Sequence, residues 1–111
     1  APKYDTKERL KQSQMIIDFI KKYNLPTVIA GDFNLGIDTK ALKMFEEAGL
    51  RNLVKESGAL TTRSTHYDIK WRTIDKFADY IFVSRDVDVF DFKVMPDEIS
   101  DHLPLYLEFE V

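Results

Sequence analysis

Val28-Ile29-Ala30-Gly31-Asp32-Phe33-Asn34 is the stretch whose reading decides the fold. Three apolar residues run into a glycine, and an acid and an amide then stand two positions apart. The β-branched pair Val28 and Ile29 favours a pleated backbone, so Val28–Ala30 reads as a buried strand. Gly31 permits a tight turn or a close approach to the backbone. Side chains of an extended segment alternate, so Asp32 and Asn34 are expected on one side and Phe33 on the other. The C-terminal edge of a strand is where open α/β sheets place ligands. The bland alternative is an ordinary strand-to-loop turn, since Gly, Asp and Asn are common turn residues.

Upstream, Asp5-Thr6-Lys7-Glu8 has the pattern of a helix start, an acid or hydroxyl followed by a glutamate. Ile16, Phe19, Ile20 and Tyr23 follow at helical spacing, with Leu10 one turn back, and define the expected inner stripe. Asn24 is a stop signal, and Leu25-Pro26 forbids continuation. Downstream, a second helix is expected from Asp38 or Thr39, with Leu42, Phe45 and Ala48 inward and Gly49 ending it. Leu53 and Val54 mark a possible helical turn. Thr61–Thr65 reads as a short strand and 66–76 as a polar loop or hairpin. Asp79–Ser84 is a strand apolar on both faces. Phe90, Phe92 and Val94 alternate with Asp91 and Lys93, and Leu103, Leu105, Leu107, Phe109 and Val111 alternate with Pro104, Tyr106, Glu108 and Glu110, the period of half-buried strands.

The order helix, strand, helix, then strands with short connections predicts an α/β domain whose sheet is mostly antiparallel. Two helices cover one face of such a sheet. Val28–Ala30 and Tyr80–Val83 are apolar on both faces and so call for cover on the second. The expected architecture is part of a larger sandwich or a tight oligomer. The 111 residues suffice for one domain, and 44% hydrophobic content supports a core. A net charge of −3 argues against a broad basic nucleic-acid surface, but not against a local phosphodiester-cutting pocket. With no cysteine, disulfides and thiolate metal sites are excluded. No apolar run approaches the ~20 residues of a membrane span, and there is no signal-peptide pattern, so cytoplasm is the default expectation.

Two further polar clusters flank apolar strands: Asp79 before Tyr80-Ile81-Phe82-Val83, and Ser100-Asp101-His102 before the last strand. Together with Asp32 and Asn34 they fit phosphoester hydrolysis. That chemistry needs a carboxylate for a hard cation, a base or orienter for water, and donors aimed at phosphoryl oxygens. Asp101 could serve the first role, Asp32 the second, Asn34 and His102 the third, with Asp79 orienting the imidazole.

Gly31-Asp32-Phe33-Asn34, Asp79-Tyr80-Ile81-Phe82 and Ser100-Asp101-His102-Leu103-Pro104 resemble, in order and rough spacing, the endonuclease/exonuclease/phosphatase superfamily with its deoxyribonuclease I-like fold. The resemblance spans the chain from its first helix to its end. It implies half of a four-layer α/β sandwich, with a mixed, mostly antiparallel sheet and two helices on one face. It also implies hydrolysis of phosphodiesters or phosphomonoesters, in nucleic acid or small phosphorylated molecules, dependent on Mg²⁺ or Mn²⁺. By the same resemblance Asp32 would activate or orient the water, Asn34 would contact the scissile phosphate, Asp101 would bind the metal, and His102, partnered by Asp79, would stabilise the phosphoryl oxygens. Family members are about twice this long, and their first half supplies a metal-binding glutamate and an asparagine. Residues 1–111 therefore resemble the C-terminal half, expected to be inactive without its N-terminal half. The non-enzymatic alternative is a half-domain that associates with a partner half, or with itself, through its apolar sheet face. A generic nucleotide binder ranks last for want of a Gly-rich phosphate loop.

Ile74-Asp75-Lys76-Phe77 is a degraded copy of the Asp79 motif, which makes Asp75 the alternative partner for His102. Thr61, Thr62 and Arg63 are possible substrate contacts. Trp71 and Arg72 could stack on or clamp a substrate but read better as a solvated loop, and His66 as a surface residue. Lys3, Lys7, Lys11, Lys21 and Lys22 read as a solvated helix face.

Overall fold

The computed structural model describes residues 4–64, 76–98 and 100–111. Trp71, Arg72, His66, Asp75 and Lys3 lie outside the described residues, as does Thr65. Helix α1 spans Lys7–Tyr23. Thr6 caps it by accepting from the Arg9 amide at 3.1 Å, and Asn24 closes it in the left-handed conformation with its amide on the Ile20 carbonyl. Lys21 and Lys22 in the last turn complement the negative end of the helix dipole. Asp5 does not belong to this cap. Its carboxylate accepts from the amides of Lys40 and Ala41, both at 2.8 Å, and so caps helix α2, Lys40–Glu47. Thr39, at the N-cap position of α2, makes no side-chain cap bond of its own.

The inward stripe of α1 is also shifted from the expected one. Ser13 and Ile17 are buried, with Leu10 and Ile20 partly so, while Ile16, Phe19 and Tyr23 are exposed. The helix carries two adjacent apolar stripes, and spacing alone does not say which faces the core. The outer stripe, with Phe19 and Tyr23 rings 4.8 Å apart, borders an apolar groove of about 430 Å³ beside Leu25, Pro26 and Val28. In α2, Leu42 and Phe45 are buried as expected, Ala48 is its half-buried C-cap, and Gly49 follows at φ 97°. Strand β2, Arg51–Asn52, leads into the short helix α3, Leu53–Ser57, where the sequence suggests a helical turn.

The central sheet has the order β1-β3-β2, with β1 at Val28–Asp32 and β3 at Asp79–Val83, all antiparallel. Tyr80 and Phe82 of β3 face the helices and join Ile17, Leu42, Phe45 and Val54 in the main core. Ile81 and Val83 face the other way, against Leu53 and Val87 and against a hairpin of β4, Asp88–Val94, and β5, Leu105–Glu110. The second face of β3 is thus covered within the chain. That of β1 is not: Val28 and Ala30 are exposed, against the expectation of burial on both sides, because the hairpin packs over β3 and leaves this face of β1 open. The expected strand after Leu60 is not found among the described residues 61–64, where Arg63 makes one isolated bridge to His102. No helix among the described residues is long and apolar enough to cross a membrane.

The hairpin corrects one further expectation. The register shifts between Val89 and Asp91, so Phe90 is the extra residue of a bulge and is 60% exposed. Val89 takes the inward place beside Phe92. We expect Phe90→Ser to change the free energy of urea unfolding by no more than about 0.5 kcal/mol. Phe92→Ala, which empties a position shared by both clusters, should cost on the order of 3 kcal/mol. Asp5→Ala should cost about 1–2 kcal/mol by the same measurement, although Asp5 lies outside the helix it caps.

Candidate active site

Antiparallel register sets the first two site residues. Asp32, the last residue of β1, pairs with Asp79, the first of β3, so both carboxylates stand at one end of the sheet. The chain beyond β1 is pinned there: the amides of Phe33 and Asn34 both donate to the Ala78 carbonyl, at 2.8 and 3.1 Å. The Phe33 ring turns into the core, edge-on to Phe45 and Tyr80. Asn34 lies at φ 52°, a left-handed conformation that asparagine tolerates better than most residues. The extended alternation expected to align Asp32 with Asn34 therefore ends at Asp32. What joins them instead is the Asn34 amide, donating to Asp32 Oδ1 at 2.9 Å.

His102 arrives through a third segment. Thr62 is fully buried; its hydroxyl accepts from the Ala78 amide at 3.0 Å and its carbonyl accepts from the Leu103 amide at 2.8 Å. The Ser64 amide donates to the Asp101 carbonyl, and the Ser64 hydroxyl donates to the Ser100 carbonyl. Residues 62–64 thus stitch the Ser100–Leu103 turn to the start of β3. Thr62 and Arg63, read from sequence as possible substrate contacts, are buried here as scaffold. Sequence reasoning misses Ser64, because a lone serine carries no pattern that would single it out.

The imidazole lies among carboxylates. Nδ1 and Asp79 Oδ2 are 2.6 Å apart, a charge-assisted contact. Nε2 faces Asp101 Oδ1 at 3.9 Å, Asp32 Oδ2 at 4.0 Å and Arg63 Nη1 at 3.5 Å. Burial pushes the Asp79 carboxyl above the usual carboxylate range; the His102 hydrogen bond opposes this, and the nearby Asp32 charge adds to it. A hollow of about 280 Å³ opens over Asp32, Asp79 and His102, and a second, of about 400 Å³, lies on the helical side with Arg9, Asp32 and Asn34. Asp32 lines both.

One donor atom from each of Asp32, Asp79 and His102 falls within 4.8 Å of the others. The short Asp79–His102 contact leaves no room for an ion between those two atoms. Asp32 and Asp101 have side chains 51% and 53% exposed and offer carboxylate oxygens on the Nε2 side. Hard divalent cations such as Mg²⁺ take oxygen ligands, typically one or two carboxylates plus water, so this donor set fits such an ion.

Two solved structures share this architecture. A mannosyl-6-phosphatase from Bacteroides thetaiotaomicron VPI-5482 aligns over 98% of this chain with a TM-score of 0.74 at 21% identity. An endonuclease/exonuclease/phosphatase family protein from Bacteroides thetaiotaomicron aligns over the same share with a TM-score of 0.73 at 21% identity. This chain spans 48% and 47% of their lengths, about half of each. No curated protein matches significantly in sequence. The model of the Endonuclease/Exonuclease/phosphatase family matches residues 2–102, a span that takes in every site residue described above. The chain belongs to the endonuclease/exonuclease/phosphatase family.

Proposed function

We propose that residues 1–111 form the C-terminal half of a divalent-cation-dependent phosphoester hydrolase. The observation that carries this reading is the His102 imidazole, bonded through Nδ1 to a half-buried carboxylate while Nε2 faces two exposed ones. Asp79 holds the ring and turns Nε2 toward the place of a phosphoryl oxygen. Asp32 accepts the Asn34 amide on Oδ1, which leaves Oδ2 to take the proton of an attacking water. The Asn34 carboxamide contacts the scissile phosphate. Asp101 ligates Mg²⁺ or Mn²⁺, and the bound ion supplies positive charge where negative charge develops on the phosphoryl oxygens.

A small phosphorylated molecule suits the site better than a long nucleic acid. The net charge is −3, and three carboxylates surround His102, an arrangement that does not favour a long polyanion. One of the two solved structures is a mannosyl-6-phosphatase, which is compatible with a phosphomonoester substrate. A partner half, supplying a further carboxylate ligand and cover for β1, completes the site. Support comes from the open apolar groove beside β1 and from the half-length span of both alignments. Self-association through the same face is the second reading, favoured by the same groove. Light scattering on residues 1–111 separates them: a stable dimer favours self-association, a monomer with an exposed apolar face favours a partner half, and a clean monomer that hides its apolar surface contradicts both.

In the full-length parent, Asp32→Asn and His102→Ala should each lower Mg²⁺-dependent hydrolysis of an activated phosphate ester by about 10²–10⁴-fold with the fold intact by circular dichroism. Parental rates in both variants overturn the assignment. Asp79 gives a pH test. Its carboxyl is raised by burial, so the ionised form costs native stability above the folded pKa, and the cost vanishes as pH falls below the unfolded value, about 3.9. The gain in Tm from Asp79→Asn should therefore be larger at neutral pH than in acid, while turnover drops by about 10–100-fold.

A further inference from the structure

We propose that Arg9 is a positioning residue that holds the Asp32–Asn34 loop from outside, through the carbonyl between the two side chains. This rests on the functional reading above. The loop that follows β1 is gripped by residues 5–9 at both of its ends. At the far end the Asp5 carboxylate binds the Lys40 and Ala41 amides. At the near end Arg9 Nη1 donates to the Phe33 carbonyl at 2.8 Å, across 24 residues of sequence. Arg9 is itself fixed, because its amide is the donor to the Thr6 cap of α1.

The carbonyl that Arg9 holds belongs to the peptide joining Phe33 to Asn34. The N–H of that same peptide is directed at Ala78 and at Asp32 Oδ1. Both polar ends of one peptide plane are thereby bound, on opposite sides. That plane sets the left-handed Asn34 backbone, and hence the direction of the carboxamide, and it sets which Asp32 oxygen stays free. Without Arg9 the carbonyl turns to water, which costs little stability but releases the plane. Arg9 also lines the hollow shared by Asp32 and Asn34, so it acts at the site without belonging to the Asp79–His102 pair. The two clamps differ in kind: Asp5 secures the start of α2, and Arg9 secures the reacting geometry.

The test compares Arg9→Met, Arg9→Lys and Asp5→Ala in the full-length parent, by steady-state hydrolysis of p-nitrophenyl phosphate with Mg²⁺, by thermal unfolding and by amide hydrogen exchange at Asn34. Arg9→Met should lower kcat by about tenfold or more with KM nearly unchanged, since small displacements of a positioned group cost rate. It should also speed Asn34 exchange by roughly tenfold. Arg9→Lys should recover part of both. Asp5→Ala should lower Tm more than Arg9→Met does and leave kcat near the parental value. Parental kcat and exchange in Arg9→Met overturn the proposal, as does a loss of rate that merely follows Tm across all three variants. If the parent hydrolyses no phosphate ester, the functional reading fails, and exchange at Asn34 alone decides whether Arg9 holds the loop.

Discussion

Everything at the site depends on the register between β1 and β3. Asp32 stands opposite Asp79 because Val28 stands opposite Val83, and a slip of one residue would turn each side chain to the other face. The register is locked at both ends. Thr27 and Ser84 exchange bonds beyond the Val28–Val83 pair, the Thr27 amide to the Ser84 hydroxyl and the Ser84 amide to the Thr27 carbonyl. Beyond Asp32, the Ala78 carbonyl takes two amides from Phe33 and Asn34. Apolar burial enforces the same phase: Tyr80 and Phe82 must meet the helices while Ile81 and Val83 meet the hairpin. The core thus fixes where the two carboxylates stand.

Bringing carboxylates together against a hydrophobic sheet is costly, and the structure meets that cost locally. Asp79 is the most enclosed of the three around His102, and it is the one given a short hydrogen bond. Asp32 and Asp101 are left half in water, where solvent reaches their carboxylates directly. The division follows from position. Asp79 opens a central strand whose next four residues are all buried, whereas Asp32 ends an edge strand and Asp101 sits in a turn. One carboxylate is therefore suited to holding the imidazole, and two are suited to meeting solvent, cation or substrate.

Strands β1, β3, β4 and β5, and the polar residues at their ends, were legible because each rests on a local signal. Period-2 alternation locates β4 and β5, the Val28–Ala30 run locates β1, and polar residues at strand ends stand out against apolar neighbours. Choices between equivalent local options were not legible. Ile16, Phe19 and Tyr23 are as helical in spacing as Leu10, Ser13 and Ile17, and only packing against α2 and the sheet selects the second set. Asp5 and Thr6 are both good caps, and only the tertiary fold assigns them to different helices. Phe90 fits the alternation until a bulge, invisible in composition, takes it out of phase. Asn34 leaves the extended geometry for the same kind of reason: a left-handed residue is a property of the loop's closure onto Ala78, and asparagine merely permits it.

The site is assembled from Arg9 and four segments remote from it in sequence: 32–34, 62–64, 78–79 and 100–103. None of these contacts is available to a helix or hairpin forming alone. Such non-local contacts rest on the sheet register and the helical layer, which come first in the order of structural dependence. The polar bonds at the site are short reaches between elements that apolar packing has already brought together. Thr62 bonds Ala78 only once β3 is seated, and Arg9 reaches Phe33 only once α1 lies on the sheet. This ordering explains why buried scaffold residues such as Thr62 and Ser64 matter as much to the geometry as the charged ones. They carry no reactive chemistry, yet they convert a packed sheet end into a fixed arrangement of one imidazole and three carboxylates.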